Sequence, residues 1–139
     1  MEWNRFAIML ICSDVDKAKD FYVNHLGLTI NSDIGWFVGL ELENKKIGRL
    51  ELSLCQEGHP SLPKQNAQAS KGVVLALGTE DVNQVFESFQ NKDIPILSEL
   101  KDEPWGQRHF FAEGPDGVSL DIFQLIEPDP KWMKENGFY

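Results

Sequence analysis

The chain has 139 residues, enough for one domain that buries a real core without disulfide staples. Its apolar share of 42% and charged share of 25% are those of a globular protein, and no run is long enough for a membrane-spanning helix. A formal net charge of −9, with lysines and arginines scattered, argues against nucleic acid and anionic membranes as partners. It suits a neutral or cationic small ligand better.

Residues 6–12 are apolar on both faces and bounded by polar residues, which predicts a buried central strand. The run is too short for a secretory leader. Ser13-Asp14-Val15-Asp16 follows it instead of a small-residue cleavage site, so a cytoplasmic protein is expected. Asp14 offers an acceptor to the free amides of a helix start, and Val15, Ala18, Tyr22 and Leu26 follow at helical spacing. Gly27 supplies the left-handed stop, with His25 in the last turn. Strands are predicted over 28–31, 35–42 and 47–55, with a turn at Ser32-Asp33. In the third of these strands Leu50, Leu52 and Leu54 take one face, and Glu51, Ser53 and Cys55 the other. Cys12 and Cys55 lie in strand-like runs without metal or redox spacing, and read as reduced core thiols.

Residues 57–71 show no periodicity, contain Pro60 and Pro63, and read as a mobile linker. A strand at 72–77 opens the second half. The helix from Asp81 carries Val82, Val85, Phe86 and Phe89 on one stripe and ends at Asn91-Lys92-Asp93. An edge strand is predicted near 95–98, because Pro95 cannot donate to a ladder. A hairpin follows: 107–112, the turn Gly114-Pro115-Asp116-Gly117, and 118–125. The tail from Glu127 ends in Trp132, Phe138 and Tyr139 and is expected to pack on the body or on a second subunit.

The halves repeat. Asp14-Val15 and Asp81-Val82 each follow an apolar run, and Leu50-Glu51-Leu52 has a parallel in Leu120-Asp121-Ile122. The order implies an α+β fold of two tandem βαβββ modules that form a cupped mixed sheet with helices on the outside. We expect one domain over 1–139: module one at about 5–56, a linker at about 57–71, module two at about 72–126, and the tail 127–139.

Three stretches resemble a known superfamily. They are the run from Asp14 to Tyr22 with His25-Leu26-Gly27-Leu28, the run from Pro104 to Phe111, and Gly114-Pro115-Asp116-Gly117 with its strand to Asp121. Together they are similar to the vicinal oxygen chelate superfamily, which includes glyoxalase I, bleomycin-resistance proteins, fosfomycin-resistance enzymes and extradiol dioxygenases. The fold hosts several chemistries, so the resemblance fixes no single activity. Metal-dependent members place a histidine in each first strand and a carboxylate or histidine in each last strand. Those positions fall here on Ala7 and Val74, and on Glu51 and Asp121. Two carboxylates without an imidazole make a poor Zn, Ni or Fe site, so neither a tightly bound metal nor another cofactor is expected.

The resemblance implies that Glu51 and Asp121 face a common cleft. They could bind a cation together, one could act as acid or base, or both could be hydrogen-bonded carboxylates in a wet crevice. His109 and Arg108 alternate on one strand, so one of them should reach the cleft, for proton transfer, ligand contact or a structural bond. Trp105, in the loop-like Pro104-Trp105-Gly106, is the favoured aromatic contact, with Trp36, Phe37 and Phe110 as further candidates. Ala7, Met9, Ile11, Val74 and Ala76 would form an apolar floor. The predicted ligand-binding set is therefore Ala7, Met9, Glu51, Val74, Trp105, His109 and Asp121. The expected function is metal-free capture of a small organic ligand, a cationic aromatic one suiting the site, by a protein similar to the bleomycin-resistance homodimers. The alternative is a metal-dependent or metal-free lyase, isomerase or dioxygenase of the same superfamily.

Overall fold

A computed structural model describes all residues, 1–139. They group into two compact units, Met1–Lys71 and Gly72–Tyr139. Each unit is α+β and holds its own four-stranded mixed sheet, as the tandem βαβββ repeat predicts.

The first unit runs β1 (Ile8–Cys12), α1 (Val15–Leu26), β2 (Thr29–Asp33), β3 (Phe37–Asn44) and β4 (Gly48–Gln56), in the sheet order β1-β4-β3-β2. The helix carries the chain back so that β1 lies parallel to β4, while β2, β3 and β4 form an antiparallel meander. The start of α1 is fixed by the Asp14 side chain, which accepts from the Lys17 amide at 3.0 Å. Its end is fixed by Gly27 in the left-handed region at φ 74°. Val15, Ala18 and Tyr22 form its buried stripe, and Leu10, Val38, Leu40 and Leu54 supply the sheet side of the core. The first turn falls at 34–36, two residues beyond the predicted Ser32-Asp33, because β2 bulges between Ile30 and Ser32 and runs on to Asp33.

The stretch expected as a mobile linker is tied down. Ser70 bonds the edge of β1 twice, its amide donating to Ile11 O and its hydroxyl accepting from Ile11 N, both at 2.9 Å. Gly58 N donates to Ala67 O, and Ala69 N to the Glu57 carboxylate. Residues 57–71 thus cover an otherwise unpaired strand edge. His59 is half-buried, and its ring stacks on Trp36 at 3.6 Å.

The second unit runs β5 (Val74–Gly78), α2 (Val82–Asn91), β6 (Lys101–Glu103), β7 (Gln107–Glu113), β8 (Ser119–Leu125) and a short α3 (Pro130–Glu135), in the sheet order β5-β8-β7-β6. Val82 and Phe89 of α2 are buried, and Phe110, Ala112, Leu120 and Ile122 complete this core. The strand predicted at 95–98 is only an isolated bridge, Ile96 to Ala112. Pro95 lacks an amide and Ser98 spends its hydroxyl on Phe111 N, so no continuous ladder forms there. The edge strand is the charged Lys101–Glu103 instead. The turn at 114–117 forms as predicted, with Asp116 as well as Gly117 at positive φ (58° and 72°).

One device is common to both units. Gln56, the last residue of β4, accepts from Val15 N at 3.1 Å and donates to Ser13 O at 2.7 Å. Gln124 in β8 accepts from Val82 N at 3.1 Å. Each glutamine ties the first amide of its helix to the last strand of its sheet.

Candidate functional site

In β7 the alternation of side chains decides what faces where. Phe110 turns to the helix and its ring meets Phe86 and Phe89 edge-on. His109 and Phe111 therefore lie on the face away from the helix. Of the adjacent pair Arg108 and His109, it is His109 that reaches this face. Arg108 sits on the other side of the strand and makes a two-point pair with Asp102, at 2.6 and 3.0 Å.

His109 is 7% exposed and lies between two carboxylates. Its Nδ1 is 2.8 Å from Asp121 Oδ1 and its Nε2 is 3.2 Å from Glu103 Oε1. The register explains this: Asp121 stands opposite Phe111 and Glu103 opposite Gln107, so each reaches His109 diagonally from a neighbouring strand. A neutral imidazole can donate to only one of these acceptors, whereas an imidazolium donates to both. Both contacts are therefore hydrogen bonds only when the ring carries two protons. The Lys101 ammonium at 2.9 Å, and after it His109, keep the Glu103 carboxyl below its ordinary value.

Trp105 is 44% exposed beside this group. Its indole donates to Gln107 Oε1 at 2.9 Å and meets the His109 ring edge-on at 6.4 Å. Trp132 of α3 lies 5.9 Å on the far side, and Phe138 is 5.9 Å beyond Trp132. The tail is docked here because Ile126 N donates to Gly106 O and Asp129 N to Pro104 O, both at 2.9 Å. Gly106 is required: its φ is 102°, and a Cβ would meet Ile126 O at 2.9 Å. The tail thus packs on the body of its own chain.

In the first unit Glu51 is bound differently. Arg5 donates from Nε and Nη2 to its two carboxylate oxygens, each at 2.6 Å. Arg49 approaches Glu51 at 3.4 Å while pairing more closely with Glu41, at 2.7 Å. The Arg5 hydrogen bond is the main reason the Glu51 carboxyl titrates below its ordinary 4.5. A carboxyl lowered on folding adds stability above its unfolded value and loses that contribution as pH falls through the lowered one. Acidification through that lowered value, below the ordinary 4.5, should therefore free Arg5. An Arg5 Nε–H NMR signal that keeps its neutral-pH position until global unfolding would contradict this.

The other predicted residues fall as follows. Met9 and Val74 are 46% and 55% exposed, and Ala7 is exposed just before β1. Ile8 pairs with Leu52, which puts Ala7 level with Glu51. In the second unit Val74 pairs with Ser119, and Asp121 pairs with Ala76. The two leucine–acid–aliphatic triplets are thus not structural counterparts: Asp121 stands one pleat further along its strand than Glu51 does. Trp36 is 37% exposed, while Phe110 is core. Neither unit's donors fit the superfamily's metal. Alkyl groups occupy Ala7 and Val74, Arg5 engages both oxygens of Glu51, and His109 engages Asp121.

Nothing in the sequence marks Glu103 as the second partner of His109, or Arg5 as the partner of Glu51. Both depend on strand register rather than on spacing along the chain. No helix is long and apolar enough to cross a membrane.

A family model described as Glyoxalase/Bleomycin resistance protein/Dioxygenase superfamily matches residues 5–122. Comparison with curated proteins gives no match. Among solved structures, a glyoxalase/bleomycin resistance protein/dioxygenase from Nocardioides is 21% identical, with 91% of this chain and 86% of that chain covered and a TM-score of 0.72. TnmS3, an antibiotic binding protein from Streptomyces sp. CB03234, is 26% identical over 90% of this chain and 98% of its own, with a TM-score of 0.66. A lactoylglutathione lyase from Agrobacterium tumefaciens is 21% identical over 88% of this chain and 94% of its own, with a TM-score of 0.68.

Proposed function

This chain belongs to the Glyoxalase/Bleomycin resistance protein/Dioxygenase superfamily, and from that premise we propose that it captures a small aromatic, cationic molecule without a metal. One observation carries the reading. A half-exposed Trp105 ring stands next to a buried imidazole that is flanked by two carboxylates. The indole offers a flat face for stacking, and Asp121 and Glu103 supply negative charge at its edge. The similarity to an antibiotic binding protein supports capture as the activity. Capture needs no chemistry: micromolar affinity is about 8 kcal/mol. We further propose that the protein works as a cytoplasmic homodimer.

The test is a thermal-shift screen of cationic aromatic antibiotics against diketones and glutathione adducts. A true ligand at a hundred times its Kd stabilises by about 2.7 kcal/mol, which is readily seen. Trp105→Ala should weaken binding roughly tenfold, the usual worth of one aromatic–cation contact. Asp121→Asn should weaken cations and spare neutral analogues. If no cationic aromatic shifts the melting temperature, capture of this class is wrong.

The His109 group favours a second reading, a metal-free lyase or isomerase in which His109 moves the proton. Consumption of a glutathione adduct or diketone by metal-depleted protein, lost in His109→Gln, would replace the first reading with this one.

A further inference from the structure

We propose that the Glu51 carboxylate is a seat for a guanidinium or amidinium group, and that Arg5 is the resident occupant which such a ligand displaces. The proposal rests on the reading of the protein as a small-molecule binder and adds the chemical class that its first unit recognises.

The geometry of the pair supports it. Arg5 meets Glu51 as a fork, Nε on Oε2 and Nη2 on Oε1, both at 2.6 Å. Only a planar cation with two parallel N–H groups fills a carboxylate in this way, and an ammonium does not. The two partners are held very differently. The Glu51 side chain is 7% exposed and fixed in the middle of β4, whereas that of Arg5 is 69% exposed. Arg5 lies ahead of β1 in residues that form no helix or strand, between Trp3 at 83% and Phe6 at 82% exposure. The receptor is thus part of the sheet, and its occupant lies on an exposed segment outside it.

The surroundings suit an aryl group attached to such a cation. Trp3, Arg5 and Phe6 line one open surface hollow, so two aromatic rings stand beside the guanidinium. Arg49 does not fill the seat, since it keeps its closest contact with Glu41 at 2.7 Å and stays 3.4 Å from Glu51. The exposed Arg5 head keeps water as an alternative partner, so a ligand that brings its own aromatic surface can outcompete it.

Benzamidine is the probe, with benzylamine as the single-point cation, and calorimetry is the readout. Arg5→Ala should bind benzamidine about tenfold more tightly than the parent protein, because the internal competitor is gone. Arg5→Lys should fall between the two, since lysine competes as a point charge. Benzylamine should gain less than benzamidine. Adding Glu51→Gln to Arg5→Ala should abolish the gain. Arg5→Ala binding benzamidine no better than the parent, or keeping its gain without the Glu51 carboxylate, overturns the proposal. The capture reading is judged separately, by cationic aromatics without an amidinium and by Trp105→Ala. Those ligands can bind while benzamidine ignores Arg5, in which case the seat falls and capture stands.

Discussion

Phe110→Ala will lower the unfolding free energy by about 3–5 kcal/mol, the cost of emptying a large aromatic site in a packed core. Phe110 is fully buried at the centre of β7. Its ring meets Phe86 edge-on at 5.0 Å and Phe89 at 5.7 Å, so it joins α2 to the sheet. Each such ring pair adds about 0.5–1.5 kcal/mol beyond the area it buries. The same strand presents His109 on its other face, so the loss should also loosen the group built around that histidine. Urea unfolding followed by circular dichroism measures the effect. Leu125→Ala, at a residue 74% exposed, serves as the control and should stay within about 0.5 kcal/mol. A Phe110 variant that unfolds like this control would mean that the second unit does not depend on its aromatic core.

His109→Ala will cost about 2–4 kcal/mol although it removes little apolar surface. It removes the donor that stands between two acceptors, Asp121 Oδ1 at 2.8 Å and Glu103 Oε1 at 3.2 Å. An acceptor left unpaired away from water costs about 1–3 kcal/mol. Lys101 still reaches Glu103 at 2.9 Å, so most of the loss belongs to Asp121. A double-mutant cycle with Asp121→Ala isolates that part and should show a coupling of about 1–3 kcal/mol. His109→Gln keeps one donor and should cost less. Equal losses in the Ala and Gln variants would show that volume matters here and hydrogen bonding does not.

Much of the fold is legible in the sequence because its local signals agree with one another. Asp14 and Asp81 announce the helix starts, and both accept the amide three residues on, at 3.0 Å. Gly27 ends α1, and the Pro115-Asp116-Gly117 turn closes the second hairpin. β6 is not legible: Lys101, Asp102 and Glu103 have no apolar alternation, and only pairing with β7 makes them a strand. α3 is equally hidden, since its six residues hold on through Trp132 meeting Trp105 rather than through a buried stripe. For the site, Trp105, His109 and Asp121 are readable as residues of one neighbourhood. Glu103 completes them only once register is known. The equivalence of Glu51 and Asp121 fails for the same reason: a repeated triplet fixes residue type, while the parallel pairing with β1 or β5 fixes level along the strand.

The twin glutamines Gln56 and Gln124 have a consequence for how each unit comes apart. A single side-chain amide joins a helix to a strand more than forty residues away along the chain. Fraying of the helix start then costs its bond to the strand, about 0.5–1.5 kcal/mol, and so does departure of the strand from the helix. Partial opening is thereby made costlier at the corner where helix and last strand meet, by one residue in each repeat.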